Sequence, residues 1–108
     1  MVEFYDSPLS PLIIIPSYAG SITMLKVVEI EKCSKILEVG CGPALVAPFV
    51  VDTKSKECVY YATDYSEGML SIAIKNIHNK FYPSKLPSAY TEPIFYEDLN
   101  LHLQKQDA

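Results

Sequence analysis

The sequence predicts an α/β protein built on parallel strands, and three observations support that prediction. Its composition is that of an ordinary globular domain, with 49% hydrophobic and 20% charged residues in a chain of 108. Short stretches with strand character alternate with stretches whose apolar residues recur at helical spacing. A glycine-containing turn joins one strand to the next predicted helix. Because strands that alternate with helices form right-handed βαβ units, we expect a parallel sheet.

The chain divides at residue 33 into an amino-terminal part and the start of the domain proper. Residues 1–16 contain three of the eight prolines, which favours an irregular arm. Residues 17–30 predict a helix, because apolar side chains recur there at Tyr18, Ile22, Leu25 and Val28. We therefore assign residues 1–33 to an arm and a helix, and residues 34–108 to a domain that begins with a buried strand at 34–40.

The middle of the chain predicts a helix and a strand. Residues 43–51 are apolar on nearly every side and predict a buried helix that starts directly after the glycine turn. Pro48 lies inside that segment and is expected to kink it. Residues 58–63 are uncharged and rich in β-forming side chains, which is typical of a strand covered on both faces.

The last third predicts a helix, a loop and a strand. Ser66 can cap a helix that runs to Asn79. Residues 81–93 contain three prolines and are assigned to a loop. Residues 99–105 alternate leucine with polar residues, which indicates a half-exposed strand.

The composition also excludes several classes of function. The chain has no arginine and a net charge of −4, so nucleic acid is not an expected partner. Cys33, Cys41 and Cys58 form no Cys-x-x-Cys pair, so neither a zinc site nor a disulfide framework is predicted. No apolar run is long enough to span a membrane, and we expect a cytoplasmic protein.

The segment around Gly40-Cys41-Gly42 is the most informative part of the sequence. A glycine turn between a strand and a helix lets the backbone approach a ligand closely and leaves helix N–H groups available to it. Glu38 lies near the end of the preceding strand, and Asp64 closes the next strand, 22 positions after Gly42. Neighbouring parallel strands open onto one crevice, and a carboxylate there can accept from two ribose hydroxyls. This combination predicts a nucleoside-containing cofactor, although a Gly-x-Gly by itself also suits a purely structural turn.

Two common nucleotide motifs are excluded at this turn. The dinucleotide fingerprint requires a third glycine at the position that Leu45 occupies. A phosphate-binding P-loop requires Gly-Lys followed by Ser or Thr, and the chain contains no such sequence.

Residues 35–44 and 62–70 resemble the first two motifs of class I S-adenosylmethionine-dependent methyltransferases. The similarity is to the branch typified by the methyltransferases of ubiquinone and menaquinone biosynthesis. The family's first motif, Glu/Asp-x-Gly-x-Gly-x-Gly, is matched by Glu38, Gly40 and Gly42, and Ala44 replaces its last glycine. The second motif, Asp-x-Ser-x-x-Met-Leu, is matched at Asp64, Ser66, Met69 and Leu70.

The resemblance implies a role for each matching residue. Glu38 and the backbone of Gly40, Cys41 and Gly42 would border the methionine end of the cofactor. Asp64 would hold the ribose hydroxyls. An acidic cleft of this kind favours the sulfonium cation of S-adenosylmethionine.

The adenine end of the cofactor is implied by three further residues. Tyr65 and Met69 would pack against the base, although Met69 alternatively belongs to the core and Tyr65 to the bare surface. Asp107 would accept from the adenine amino group, because the family's next strand often ends in Asp-Ala, as this chain does. Asp98 is an alternative to Asp107 for that contact.

The resemblance further implies a Rossmann-like three-layer sandwich of which this chain supplies the amino-terminal half. In that arrangement the strand at residues 35–39 lacks a neighbour on one side, which favours self-association. The implied function is methyl transfer to a small-molecule or lipid-like acceptor, with the catalytic residues beyond residue 108. The alternative is a non-catalytic, methyltransferase-like protein that only binds a partner or the cofactor.

Overall fold

The computed structural model describes the backbone of residues 3–5 and 12–16 and the complete residues 30–106. Within these ranges the chain forms six strands and two α-helices. In chain order they are β1 (Glu3–Tyr5), β2 (Leu12–Pro16), β3 (Lys35–Val39), α1 (Ala47–Thr53), β4 (Val59–Asp64), α2 (Glu67–Phe81), β5 (Ile94–Tyr96) and β6 (Leu101–Lys105). Single 3₁₀ turns occur at Ile30–Lys32 and Glu97–Leu99.

All six strands belong to one mostly parallel sheet, in the order β1-β2-β3-β4-β6-β5. The four inner strands β2, β3, β4 and β6 run parallel, and β1 and β5 pair antiparallel at the two edges. The predicted α/β class is therefore confirmed, as is the parallel pairing of β3 with β4 and of β4 with β6.

The amino-terminal prediction of an irregular arm is wrong for residues 3–5 and 12–16. Strand β2 lies parallel to β3, from Leu12 opposite Lys35 to Pro16 opposite Val39. A proline at the end of a strand does not interrupt its ladder, so Pro16 is compatible with the pairing. The predicted unpaired flank of β3 is wrong for the same reason, and self-association through it loses its basis. The predicted helix at 17–30 lies outside the described residues except for Ile30.

The first helix differs from the prediction in its position. It spans Ala47–Thr53 and does not begin directly after the glycine turn, because residues 42–46 form turns and bends. Pro48 thereby lies in the first turn of the helix, where a missing N–H costs no hydrogen bond. The expected kink at Pro48 is therefore absent.

The second helix agrees with the prediction. Ser66 is its N-cap residue, and its Oγ accepts a hydrogen bond of 3.1 Å from the Met69 N–H. The helix continues two residues beyond the predicted end, to Phe81. Its buried side is formed by Leu70, Ala73, Ile74, Ile77 and His78.

The segment after α2 contains a strand that the sequence analysis did not predict. β5 begins directly after the proline-containing loop and pairs antiparallel with β6, with Ile94 opposite Leu103. β6 begins at Leu101, after the turn at Glu97–Leu99. Its predicted alternation is confirmed, since Leu101 and Leu103 are buried and the residues after each are partly exposed.

The two faces of the sheet differ in which described residues pack against them. The helices contact each other, and α2 contacts β4 and β6, so both lie on one face. On the other face Tyr61, His102 and Phe95 lie in register, with neighbouring ring centroids 4.6 and 4.3 Å apart. Tyr61 is only partly buried. Among the described helices, cover of β4 is shown on one face, so the prediction that both faces are covered is confirmed for that face alone.

Neither described helix has the length and apolar character that crossing a bilayer requires.

Candidate functional site

The candidate site lies at the carboxyl ends of β3 and β4. Because these strands are parallel neighbours, the turn after β3 and the last residue of β4 meet at one edge of the sheet. The contact is direct, since the Gly42 N–H donates a 2.8 Å hydrogen bond to Oδ2 of Asp64. The fold thus brings together the two motifs that the sequence analysis singled out.

The Asp64 carboxylate also holds the start of α2. Its Oδ1 accepts a 2.8 Å hydrogen bond from the Ser66 N–H. The Asp64 side chain therefore links the glycine turn to the N-cap residue of α2 through hydrogen bonds. Each carboxylate oxygen has two acceptor positions, so the two backbone bonds leave Asp64 able to accept from a ligand as well. Asp64 is partly exposed, which keeps these positions accessible.

The glycine turn has the backbone geometry that requires glycine. Gly40 has φ +70° and Gly42 has φ +54°, in the left-handed region that side chains disfavour. A Cβ placed on either residue would meet no atom of the residues that the structure describes within 4 Å. The space beside both glycines is therefore open to a ligand. Ala44, at the motif's last glycine position, also has a positive φ of 63°.

The turn is fixed at two further points. The Cys41 N–H donates to the Thr63 carbonyl oxygen at 2.8 Å, and Asn76 Nδ2 donates to the Pro43 carbonyl oxygen at 2.8 Å. The first bond extends the β3–β4 pairing into the turn, and the second ties the turn to α2. Sequence reasoning missed Asn76, because no local pattern distinguishes a polar helix residue that bonds a distant loop.

Glu38 lies on the face of the sheet that the helices cover. It is 1% exposed, and its Oε1 accepts a hydrogen bond from the hydroxyl of Tyr60, a residue that the sequence analysis did not single out. Burial, followed by the neighbouring Glu38 carboxylate, raises the pKa of Tyr60. The Tyr60 hydroxyl therefore remains a proton donor to Glu38.

Cys41 contributes its backbone to the turn, while its thiol is buried. Burial raises the pKa of Cys41, and the charges of Glu38 and Asp64 raise it further. The thiol is therefore protonated.

Two large apolar side chains are exposed just after Asp64. Tyr65 is 54% exposed and Met69 is 42% exposed, while the adjacent Leu70 occupies the core position. The alternative that Met69 belongs to the core is therefore wrong. Its exposed position, like that of Tyr65, leaves its surface available for packing against a ligand.

The two acidic candidates for the adenine contact are separated by the fold. Asp98 lies in the turn before β6, at the amino end of that strand. Asp64 pairs with Lys105 at the carboxyl end of β6, so the two acids lie at opposite ends of the parallel strands. Asp107 lies outside the described residues. The last described residue, Gln106, lies next to the candidate site, because its N–H donates to the Asp64 carbonyl oxygen at 2.8 Å.

Comparison with protein-family models, with curated proteins and with solved structures gives no match to this chain.

Proposed function

We propose that the backbone of the Gly40–Gly42 turn borders the methionine end of S-adenosylmethionine and that Asp64 holds its ribose hydroxyls. On this proposal the sheet is Rossmann-like, and the chain is the cofactor-binding part of a methyltransferase for a small-molecule or lipid-like acceptor. The observation that carries the proposal is the contact between the Gly42 N–H and the Asp64 carboxylate beside the open space at both glycines. The contact brings the glycine turn, which a ligand can approach closely, next to a hydrogen-bond acceptor at the carboxyl ends of β3 and β4.

The residues present fit the cofactor in three respects. The open space beside Gly40 and Gly42 admits a ligand against the backbone. The remaining acceptor positions of Asp64 suit a pair of adjacent ribose hydroxyls. The exposed ring of Tyr65 and the thioether of Met69 are suited to packing against a planar base.

Electrostatics at the turn also favour this ligand. Burial raises the pKa of Cys41, and the negative charges of Glu38 and Asp64 raise it further. The two nearby carboxylates therefore add a negative potential where the methionine end would lie. A sulfonium carries a positive charge and is stabilised by such a potential. The neutral product of methyl transfer lacks that charge, so we expect it to bind less tightly at the turn.

The chemistry divides between the cofactor and the chain. When bound, S-adenosylmethionine supplies an electrophilic methyl group. The residues of this chain bind and orient it, which is the main protein contribution to a direct displacement. We assign no catalytic residue among residues 30–106.

Calorimetric titration of the 108-residue chain with S-adenosylmethionine tests the proposal. We expect saturable binding, and a loss of about tenfold or more in affinity for Asp64→Ala, because a hydrogen bond to a charged group contributes ~1.5–3 kcal/mol. The matched control is Asp98→Ala, an acidic residue at the opposite end of the parallel strands. It should bind as the unchanged chain does.

Asp64→Ala also removes two backbone hydrogen bonds, so its folded fraction must be measured alongside the affinity. Circular dichroism at the titration temperature identifies conditions in which the variant is folded. Unchanged affinity of the folded variant would leave Asp64 as a purely structural brace. Absence of binding by the unchanged chain would overturn the proposal.

A further inference from the structure

A second concave region lies at the other end of α2. It is a cavity of about 190 Å³ between the last turns of the helix and the loop that follows. His78, which lines it, lies eleven residues beyond Glu67, or about 17 Å along the helix at a rise of 1.5 Å per residue. The cavity is therefore separate from the site at Asp64.

The charged side chains that line this cavity are all basic. Lys75 and Lys85 contribute two ammonium groups, His78 adds an imidazole, and the lining contains no acidic residue. This is a local reversal of charge in a chain whose net charge is −4. An anion inside the cavity would lie close to two positive charges.

Neither cavity lysine has its charge compensated within the described residues. The Lys54 ammonium group donates to a carbonyl oxygen and that of Lys105 pairs with Glu67, whereas the ammonium groups of Lys75 and Lys85 have no hydrogen-bond or ion-pair partner there. The Lys85 ammonium group makes a weak cation–π contact, with Nζ 6.0 Å from the ring centroid of Tyr82. Both ammonium groups are thus available to a ligand.

The cavity wall is held in place by the backbone. The Tyr82 N–H donates to the His78 carbonyl oxygen at 2.8 Å, and the Lys85 N–H donates to the Tyr82 carbonyl oxygen at 2.9 Å. His78 Nδ1 lies 3.2 Å from the Lys85 carbonyl oxygen and donates to it. Pro83 restricts the same loop, because its ring fixes φ. Little ordering of the loop is therefore needed on binding.

The helix end itself opposes an anion only weakly. The last carbonyl groups of a helix carry partial negative charge, which disfavours an anion nearby. Here the His78 carbonyl group accepts from the Tyr82 N–H, and the Tyr82 carbonyl group, just past the helix, accepts from the Lys85 N–H, so these two groups are paired. The lysine charges are full charges and dominate.

The remaining residues that line the cavity indicate that the ligand also has an apolar group. Tyr82, Pro83 and Leu86 line the cavity, and Leu86 is 91% exposed, which is unusual for a leucine. The volume lies below the ~300–1,000 Å³ typical of sites for drug-sized ligands. The ligand is therefore small, with a charged end and a compact apolar end.

We propose that the cavity between α2 and the loop at residues 82–87 binds a small organic anion, specifically a phosphate monoester with an apolar group. Lys75 and Lys85 hold the phosphate, and Leu86 and the neighbouring prolines cover the apolar group. This proposal is independent of S-adenosylmethionine binding, because it uses none of the residues at the glycine turn.

Titration of the 108-residue chain with phenyl phosphate, followed by nuclear magnetic resonance, tests the proposal. We expect saturable shifts of the His78 ring signals and of the amides at residues 82–87. Lys75→Gln and Lys85→Gln should each weaken binding about threefold or more, the upper range for one ion pair near a protein surface. Lys80→Gln is the matched control, since Lys80 lies on the same helix, is exposed and does not line the cavity.

Three results would overturn the proposal. One is the absence of saturable shifts at these residues. Another is equal weakening by Lys80→Gln, which would show general attraction to a basic surface. The third is equal binding of benzyl alcohol, which would show that the cavity takes an apolar group and ignores the charge.

Discussion

The two ends of α2 carry opposite charges, and the charged groups at the two ends differ in their hydrogen bonds and ion pairs. At the amino end the Asp64 carboxylate accepts from two backbone N–H groups and is built into the fold. At the carboxyl end Lys75 and Lys85 have no ionic partner within residues 30–106. The acidic start of the helix at Glu67 and the basic last turn at Lys80 agree with the helix dipole, which favours acids at the start and bases at the end. The difference shows that the acid stabilises the fold while the lysines are free to act on a ligand.

Loss of the Asp64 carboxylate should have the largest effect on stability. Asp64→Ala should lower the free energy of unfolding by about 2–3 kcal/mol, because it removes two hydrogen bonds to a charged, partly exposed group. Lys75→Gln should change it by less than about 0.5 kcal/mol, as expected for a surface side chain without partners. Urea denaturation measures both. If the two variants are equally stable, the acid is not the structural brace described here.

The glycine turn gives the next largest effect. Gly40→Val should cost about 1–2 kcal/mol, since it forces a side chain into the left-handed region at φ +70°. It should also abolish S-adenosylmethionine binding, because the side chain enters the open space beside the turn. The far-ultraviolet circular dichroism spectrum should stay near that of the unchanged chain. Tight binding by this variant would show that the space is not used by the cofactor.

Ala44→Gly is the control for that variant. The change relieves a positive φ of 63° but removes a buried methyl group and adds freedom to the unfolded chain. These contributions oppose each other, so the free energy of unfolding should stay within about 0.5 kcal/mol of the original. A large loss of stability would mean that the Ala44 methyl group is essential to the core.

The helix caps provide a smaller and sharper comparison. Ser66→Ala should cost about 1 kcal/mol, because Oγ accepts from the Met69 N–H at the N-cap. Lys80→Gln, at the other end, should cost about 0.3 kcal/mol through the helix dipole alone. Thermal unfolding of the two variants at equal salt concentration checks the order. The reverse order would contradict the view that the Ser66 side chain makes a specific capping bond while the Lys80 charge acts through the dipole alone.

The parts of the fold that sequence reasoning anticipated depend on local chemistry. Ser66 was recognisable as a cap because its hydroxyl and the helix start are neighbours in sequence. The meeting of Gly42 and Asp64 was predictable because parallel strands open at the same edge. The left-handed backbone at Gly40 follows from its place in a tight turn.

The parts that it missed depend on non-local pairing. Besides β4, β3 pairs with β2. The prolines at and just before β2 suggested an irregular arm when only the local sequence was considered. The bonds from Asn76 to Pro43 and from Tyr60 to Glu38 join residues far apart in the chain. No periodicity encodes such pairs, and the cavity beside Lys75 likewise depends on how the loop after α2 folds back.

An amide chemical-shift titration of the chain with adenosine and with 2′-deoxyadenosine tests whether Asp64 holds the ribose. We expect saturable shifts at Gly42 and Ser66, the two residues whose N–H groups donate to Asp64, and no shifts at Lys75 or Lys85. We also expect weaker binding of the deoxynucleoside, because Asp64 then loses one of two hydroxyl donors. Shifts confined to the carboxyl end of α2, or equal binding of the two nucleosides, would show that Asp64 does not hold the ribose.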